Sequence, residues 1–100
     1  MQNRQLAKAQ SRLKELGLDR RYSAKLSESP QKNKRFAVHA TVGGQQRRIH
    51  FGAWPVSRGT FLDHEDVNIR AAWRARHRVG NPQAYDDPAS PLFWAARILW

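Results

Sequence analysis

Six side chains able to move protons or bind a metal ion are His50, Asp63, His64, Glu65, Asp66 and His77. A histidine base with carboxylate or imidazole ligands suffices for phosphodiester hydrolysis when a metal ion activates water. The spacing argues against that use. His64 and Asp66 stand at i and i+2, which diverge on a helix, and no HxxxH pair or HNH-like arrangement occurs. The run from Asp63 to Asp66 reads more simply as the acidic start of a helix, where carboxylates accept from free amides. His77, between Arg76 and Arg78, reads as a packing or hydrogen-bonding residue. A metal-dependent nuclease is thus the weakest reading. No catalytic residue, metal ligand, cofactor or small-molecule substrate is expected.

Basic residues offer a different chemistry. Arg70, Arg74, His77 and Arg78 fall at i, i+4, i+7 and i+8 and form one stripe along a helix. Lys34, Arg35, Arg47 and Arg48, with Lys32 beside them, add charge near both ends of a predicted hairpin. Such groups can follow phosphates with little sequence preference, through contacts that weaken steeply with salt. The aromatic residues do not interleave with these bases as a stacking platform for single strands requires.

Composition sets the frame for both readings. The chain has 100 residues, 18 Lys+Arg against 8 Asp+Glu, and no cysteine. That length is one small domain, and the missing thiols remove disulfides and thiolate zinc sites as staples. Four Trp, four Phe and two Tyr argue against a disordered basic tail. No stretch has the apolar length of a membrane span or the core of a signal peptide. The first fifty residues hold 12 basic and 3 acidic side chains, the second fifty 6 and 5. The charge of the first half points to a polyanionic or acidic partner.

The elements that position these groups can be read from periodicity. Leu6, Ala9, Leu13 and Leu16 make one apolar stripe on a charged helix that Gly17 stops, and such a helix needs a surface to lie on. Tyr22, Ala24 and Leu26 alternate as a short strand, and residues 27 to 34 read as a loop. Phe36, Val38, Ala40 and Val42 alternate as a half-buried strand, Gly43-Gly44 supplies a tight turn, and Gln46 to Phe51 returns. On that return strand Arg47, Ile49 and Phe51 share one face, and Arg48 and His50 the other. Trp54 and Val56 are expected to fold back over the sheet. The main helix is predicted over Asp63 to Val79, capped by Asp63, with Leu62 and Val67 as a hydrophobic staple. Gly80 and Pro82 end it, and NPQAYDDPAS reads as a loop. Ser90-Pro91 opens a short apolar helix to Trp100, whose only charge is Arg97.

Several ordered blocks together resemble a family of small proteins of nucleocytoplasmic large DNA viruses. The blocks are Phe36-Ala-Val38, Ile49-His-Phe51-Gly52-Ala53, Asp63-His64-Glu65-Asp66, Trp73-Arg-Ala-Arg76-His77 and Phe93-Trp94 with Leu99-Trp100. Trp73 stands where that family usually has Tyr, and Ala95 where it has Ser. The resemblance covers about residues 34–100 and implies a viral setting rather than a mechanism.

The expected architecture is α+β. A small antiparallel β-meander of two or three strands packs on a long helix and a short apolar C-terminal helix. Residues 1–33 form a basic N-terminal helix or arm with its linker, and 34–100 form the domain. The expected function is that of a non-enzymatic virion component, a minor capsid protein cementing or bridging other capsid proteins through acidic or apolar surfaces. Its location would be the virion, assembled in the host cytoplasm or nucleus. Trp94, Arg97, Trp100, Leu6 and Leu13 are the expected partner contacts, since tryptophan and arginine often anchor interfaces, with the alternative, slightly favoured, that Phe93 and Trp94 are core residues of the domain itself. The alternative is a basic virion protein that binds packaged DNA without sequence preference, through Arg70, Arg74, Arg78, Lys34, Arg35, Arg47 and Arg48.

Overall fold

A computed structural model describes residues 3–54 and 59–100 of the chain. The hairpin is built as its alternation requires. Strand β2 (Lys34–Val42) and strand β3 (Gln45–Ala53) pair antiparallel, with Phe36 opposite Phe51 and Val38 opposite Ile49. Gly43 and Gly44 both take positive φ (58° and 78°), the geometry of a two-residue turn that matches strand twist. Strand β1 (Lys25–Glu28) pairs with the other edge of β2, Leu26 opposite Val38, so the strand order is β1-β2-β3. The fold is the α+β class expected, with a three-stranded meander.

One face of this sheet is apolar: Leu26, Phe36, Val38, Ala40, Ile49 and Phe51 are all buried. Two helical segments close over it. Helix α1 (Asn3–Glu15), followed by the single turn α2 (Leu18–Arg21), contributes Ala9 and Leu13, and the C-terminal segment contributes Phe93, Trp94, Ile98 and Leu99. That segment is a helical turn, α6 (Pro91–Trp94), running into a π-helical turn over Ala95–Leu99. Ser90 Oγ accepts from the Leu92 N–H at 3.2 Å, with Pro91 in the first helical position, as the Ser-Pro pair predicts. Trp54 is half-buried and donates its N–H to the Asn33 carbonyl at 3.2 Å, while Val56 lies outside the described residues.

The division into a basic arm over 1–33 and a domain over 34–100 does not hold. Ala9 and Leu13 belong to the same core as Phe36 and Ile98, Leu6 packs against it, and β1 is part of the sheet. The polar sides of α1 are tied down as well. Lys8 Nζ donates to the Leu62 carbonyl at 2.7 Å, Gln10 Nε2 to Leu26 at 3.0 Å, and Arg12 Nε to Arg97 at 2.7 Å. A stripe too narrow to hold a helix alone has found its surface inside the domain. Leu16, at the end of that stripe, remains exposed.

The predicted main helix is two helices. Helix α3 (Phe61–His64) ends where Glu65 turns into the left-handed region (φ 58°), and α4 (Val67–Gly80) begins anew. Asp63 does not cap the longer helix because its carboxylate is engaged elsewhere. Asp66 takes the cap, accepting from the Asn68 and Ile69 N–H groups at 3.0 and 3.2 Å. The turn also separates Leu62, which is buried, from Val67, which is exposed, so the staple does not form. The stretch read as a loop holds helix α5 (Pro82–Asp86), with Pro82 in its first turn and Tyr85 buried. Helix α4 buries no residue completely and rests on the C-terminal segment, where Trp73 stacks on Trp100 with centroids 4.8 Å apart and planes 9° from parallel.

Asp63 is engaged by Arg35. The guanidinium donates from Nη1 to Oδ2 at 2.9 Å and from Nη2 to Oδ1 at 2.7 Å, a bidentate pair between β2 and α3. Arg35 is only 2% exposed. Thr60 adds its N–H (2.7 Å) and hydroxyl (3.0 Å) to Asp63 Oδ2. Gly52 makes room for this arginine: it has φ 83°, and a Cβ there would sit 3.0 Å from both Arg35 Cβ and Leu99 Cδ1. Burial opposes ionisation of Asp63. The donors from Arg35 and Thr60, with the Arg35 charge, outweigh it and hold the carboxyl at about 2.

Removing one partner leaves the other charged and buried, so Asp63→Ala should destabilise the fold by about 3–5 kcal/mol in urea unfolding. A carboxyl held below its unfolded value stabilises the fold above the unfolded pKa and loses that contribution as protons bind. Wild-type stability should therefore decline as pH falls through the window between 3.8 and about 2. The loss across that window should be smaller in Asp63→Asn.

Candidate nucleic-acid interface

Arg70 and Arg74 of the α4 stripe are half-buried against the domain, and Arg78 stays exposed. Arg70 lies over the Phe61 ring at 4.1 Å, Arg74 Nη2 reaches the Ala96 carbonyl at 3.4 Å, and Arg78 lies over Tyr85 at 5.3 Å. His77 stacks on Trp73 at 3.9 Å and donates from Nδ1 to the Trp73 carbonyl at 2.8 Å. These side chains hold α4 in place through cation–π contacts and hydrogen bonds. Carbonyls near the end of the π-helical turn lack helical partners, and guanidinium donors from two elements supply them: Arg74 at Ala96 and Arg12 at Arg97. Burial lowers the pKa of Arg12, Arg74 and Arg97 from the ordinary value, the direction expected of charges drawn out of water. With Arg35 paired to Asp63, three of the seven expected phosphate contacts, Arg35, Arg70 and Arg74, are fastened inside the molecule.

The expected docking residues are also inside. Trp94 has no exposed surface and donates its indole N–H to the Pro88 carbonyl at 2.7 Å. Trp100 is 9% exposed beneath Trp73, and Leu13 is in the core. Arg97 donates from Nη1 to the carbonyls of Tyr85 (2.9 Å) and Phe93 (3.2 Å), over the Phe93 ring at 3.8 Å. A mostly apolar helix closing a small sheet is covered by the protein's own α1, α4 and α5, so it offers no broad patch of its own.

The chemistry-bearing residues are apart. Asp63 pairs with Arg35, Glu65 with Lys8 at 3.2 Å, and Asp66 caps α4. His64 Nδ1 accepts from the Asp66 N–H at 2.9 Å, inside the α3–α4 turn. Among the described residues, no three or more His, Asp or Glu converge to hold a metal ion.

What remains is the outer face of the sheet. The register places Lys25 opposite His39 and His39 opposite Arg48, one row across all three strands, each side chain exposed. Strand spacing of about 4.8 Å spreads that row over roughly 10 Å. The neighbouring outward positions are Ser27, Ala37 and His50 on one side, and Thr41 and Gln46 on the other. Among the described residues no acid stands on an outward strand position: Glu28, the one acid in a strand, pairs with Phe36 in the opposite alternation, which Lys34 and Arg47 share. The row opens into a shallow cleft of about 400 Å³. A second cleft, of about 350 Å³, carries Lys34 and His50 with Gln31. Arg47 and Arg48 line both, so the two are continuous along β3. Partial desolvation, then the charges of Arg48, His39 and Lys34, lower the pKa of His50. Ser29 Oγ lies 2.7 Å from His50 Nδ1.

Of the expected contacts, Lys34, Arg47 and Arg48 line one cleft beside β3, although only Arg48 belongs to the outward alternation. Lys25 and His39 were not among them. The alternation that put Arg48 and His50 outward could have found His39 in the same way, but Lys25 required knowing that β1 pairs with β2.

Fold and surface together define a small α+β domain with an apolar inner sheet face, a cationic outer one, and arginines as internal fasteners. The chain belongs to a family of unknown function, DUF5754, which matches residues 24–77. The matched stretch takes in the whole sheet, the Arg35–Asp63 pair and α4 up to His77. No curated protein and no solved structure shows significant similarity to the chain.

The two classes of arginine should separate by experiment. Arg74→Ala should lower stability by about 1–2 kcal/mol in chemical denaturation, through loss of a charged hydrogen bond and packing. Arg48→Ala, at an exposed strand position, should stay within about 0.5 kcal/mol of the parent.

Proposed function

We propose that the protein is a non-enzymatic module that binds the phosphate backbone of nucleic acid across the outer face of its sheet. The observation that carries this is the row Lys25, His39 and Arg48 on a face where, among the described residues, no acid points outward; the exposed Arg47 and Lys34, from the opposite alternation, line clefts shared with Arg48. Lys25 and Arg48, on the strands either side of His39, can meet separate phosphates, and the contacts carry no base readout. Among the described residues no Phe, Tyr or Trp stands on an outward strand position, which favours backbone contact over base stacking. In the viral setting that the sequence resembles, the polyanion would be the packaged DNA.

A second reading, a capsid component docking on other shell proteins, draws support from Val67, Ile69 and Val79, which α4 leaves exposed, Val79 at 82%. It lacks the tryptophan anchors first assigned to it, since these are buried. The two readings differ in where the protein goes when particles are gently opened: with the genome, or with the shell.

Retardation of duplex DNA at stepped salt is the direct measurement. Binding should weaken linearly in log affinity against log salt. Lys25→Ala and Arg48→Ala should each lower affinity across unrelated sequences and reduce the slope by about 1. Arg76→Ala, on the exposed side of α4, should change neither. Absence of a shift at low salt, or equal binding by the Lys25→Ala/Arg48→Ala double variant, would refute the assignment.

A further inference from the structure

The loop joining β1 to β2 reads Ser29-Pro30-Gln31-Lys32. An acceptor serine directly followed by proline, with a base three residues on, is the order that proline-directed protein kinases read. Proline at that position has no N–H to leave unsatisfied and a fixed φ. Pro30, Gln31, Lys32 and Asn33 are exposed, and Ser29 is half-buried at the end of the strand. Its hydroxyl is already oriented. The Gln31 N–H donates to Oγ at 3.1 Å, and Oγ lies 2.7 Å from His50 Nδ1. His50 shares its cleft with Lys34 and Arg48.

We propose that Ser29 is a phosphorylation site and that His50, with Lys34 and Arg48, forms the cradle that receives its phosphate. A separate kinase would supply the chemistry. Ser29 Oγ forms a bond to the γ-phosphorus of a nucleoside triphosphate, the bond to the β-phosphate oxygen breaks, the hydroxyl proton passes to the kinase's base, and the nucleoside diphosphate leaves. The product carries nearly two negative charges and three acceptor oxygens. Placed against His50 and Lys34, these accept charge-assisted hydrogen bonds. The same charges then sit on the cationic face and compete with an incoming nucleic acid. Phosphorylation is in this way an off-switch for the surface, a consequence that rests on the function proposed above. The cradle itself does not.

The test uses the full chain, a proline-directed serine/threonine kinase and magnesium ATP. Mass analysis should find one phosphate on Ser29 in the parent and none in Ser29→Ala. Phosphorus NMR should place the second ionisation of that phosphate below the usual value of about 6. In His50→Gln it should move back up. Binding of duplex DNA should fall at least tenfold on phosphorylation, with a shallower salt slope. No incorporation at Ser29, or an ionisation indifferent to His50→Gln, overturns the site. Normal DNA binding by the phosphorylated chain overturns the switch. If the unmodified protein fails to bind DNA, the functional reading falls, while incorporation and phosphorus titration still decide the cradle.

Discussion

The Arg35–Asp63 pair is the constraint on which the other arrangements depend. It joins the middle strand to α3, and α3 in turn fixes where Lys8 of α1 and Arg70 of α4 find their partners, at the Leu62 carbonyl and the Phe61 ring. A buried ion pair gives little net stability against a well-packed apolar pair of the same volume. Its effect here is on placement. Two parallel hydrogen bonds tolerate little error, so α3 can dock on the sheet in essentially one position. Because Asp63 is used in this way, Asp66 must cap α4, and the chain must turn at Glu65 between them.

Arginine does two jobs in this small domain, and burial decides which. Arg12, Arg35, Arg74 and Arg97 reach carbonyl or carboxylate oxygens between segments distant in sequence, where a longer apolar side chain would leave helix-end carbonyls without partners. The guanidinium suits this role: it stays charged when partly buried, offers five donors and lies flat on rings such as Phe93. Arg47 and Arg48 make no such long-range contact among the described residues and stay on the surface. A domain without disulfide or zinc staples thus uses cationic fasteners around a modest apolar core.

Local pattern was legible in the sequence where one residue's environment depends on its near neighbours. The hairpin from Phe36 to Phe51, its glycine turn and the Ser90-Pro91 helix start are of this kind, as is the outward direction of Arg48 and His50. Illegible features depended on distant partners. Nothing near Asp63 announces that Arg35 will claim it, so a single helix over Asp63 to Val79 was the natural expectation. The stripe Arg70, Arg74 and Arg78 has the same periodicity whether it faces phosphates or Phe61, Ala96 and Tyr85. Likewise, the apolar C-terminal helix reads as core or as docking anchor until Trp94 and Trp100 are found in the core, with Trp73 of α4 stacked on Trp100. The N-terminal helix looked detachable for the same reason: its target lies more than eighty residues away at Arg97.

The placing of acids also affects how the protein meets a charged partner. On and beside the helical segments Glu15, Asp19, Glu65, Asp66, Asp86 and Asp87 stand among bases such as Lys14, Arg20, Arg21, Arg76 and Arg78, whereas no acid stands in the outward row of Lys25 and Arg48. Neighbouring acids weaken the pull of a polyanion on the helical side, and nothing in the row weakens it over the strands. An approaching polyanion therefore meets its least opposed attraction at the sheet. Over distances within the Debye length, about 10 Å at 0.1 M salt, fewer encounters are wasted in wrong orientations.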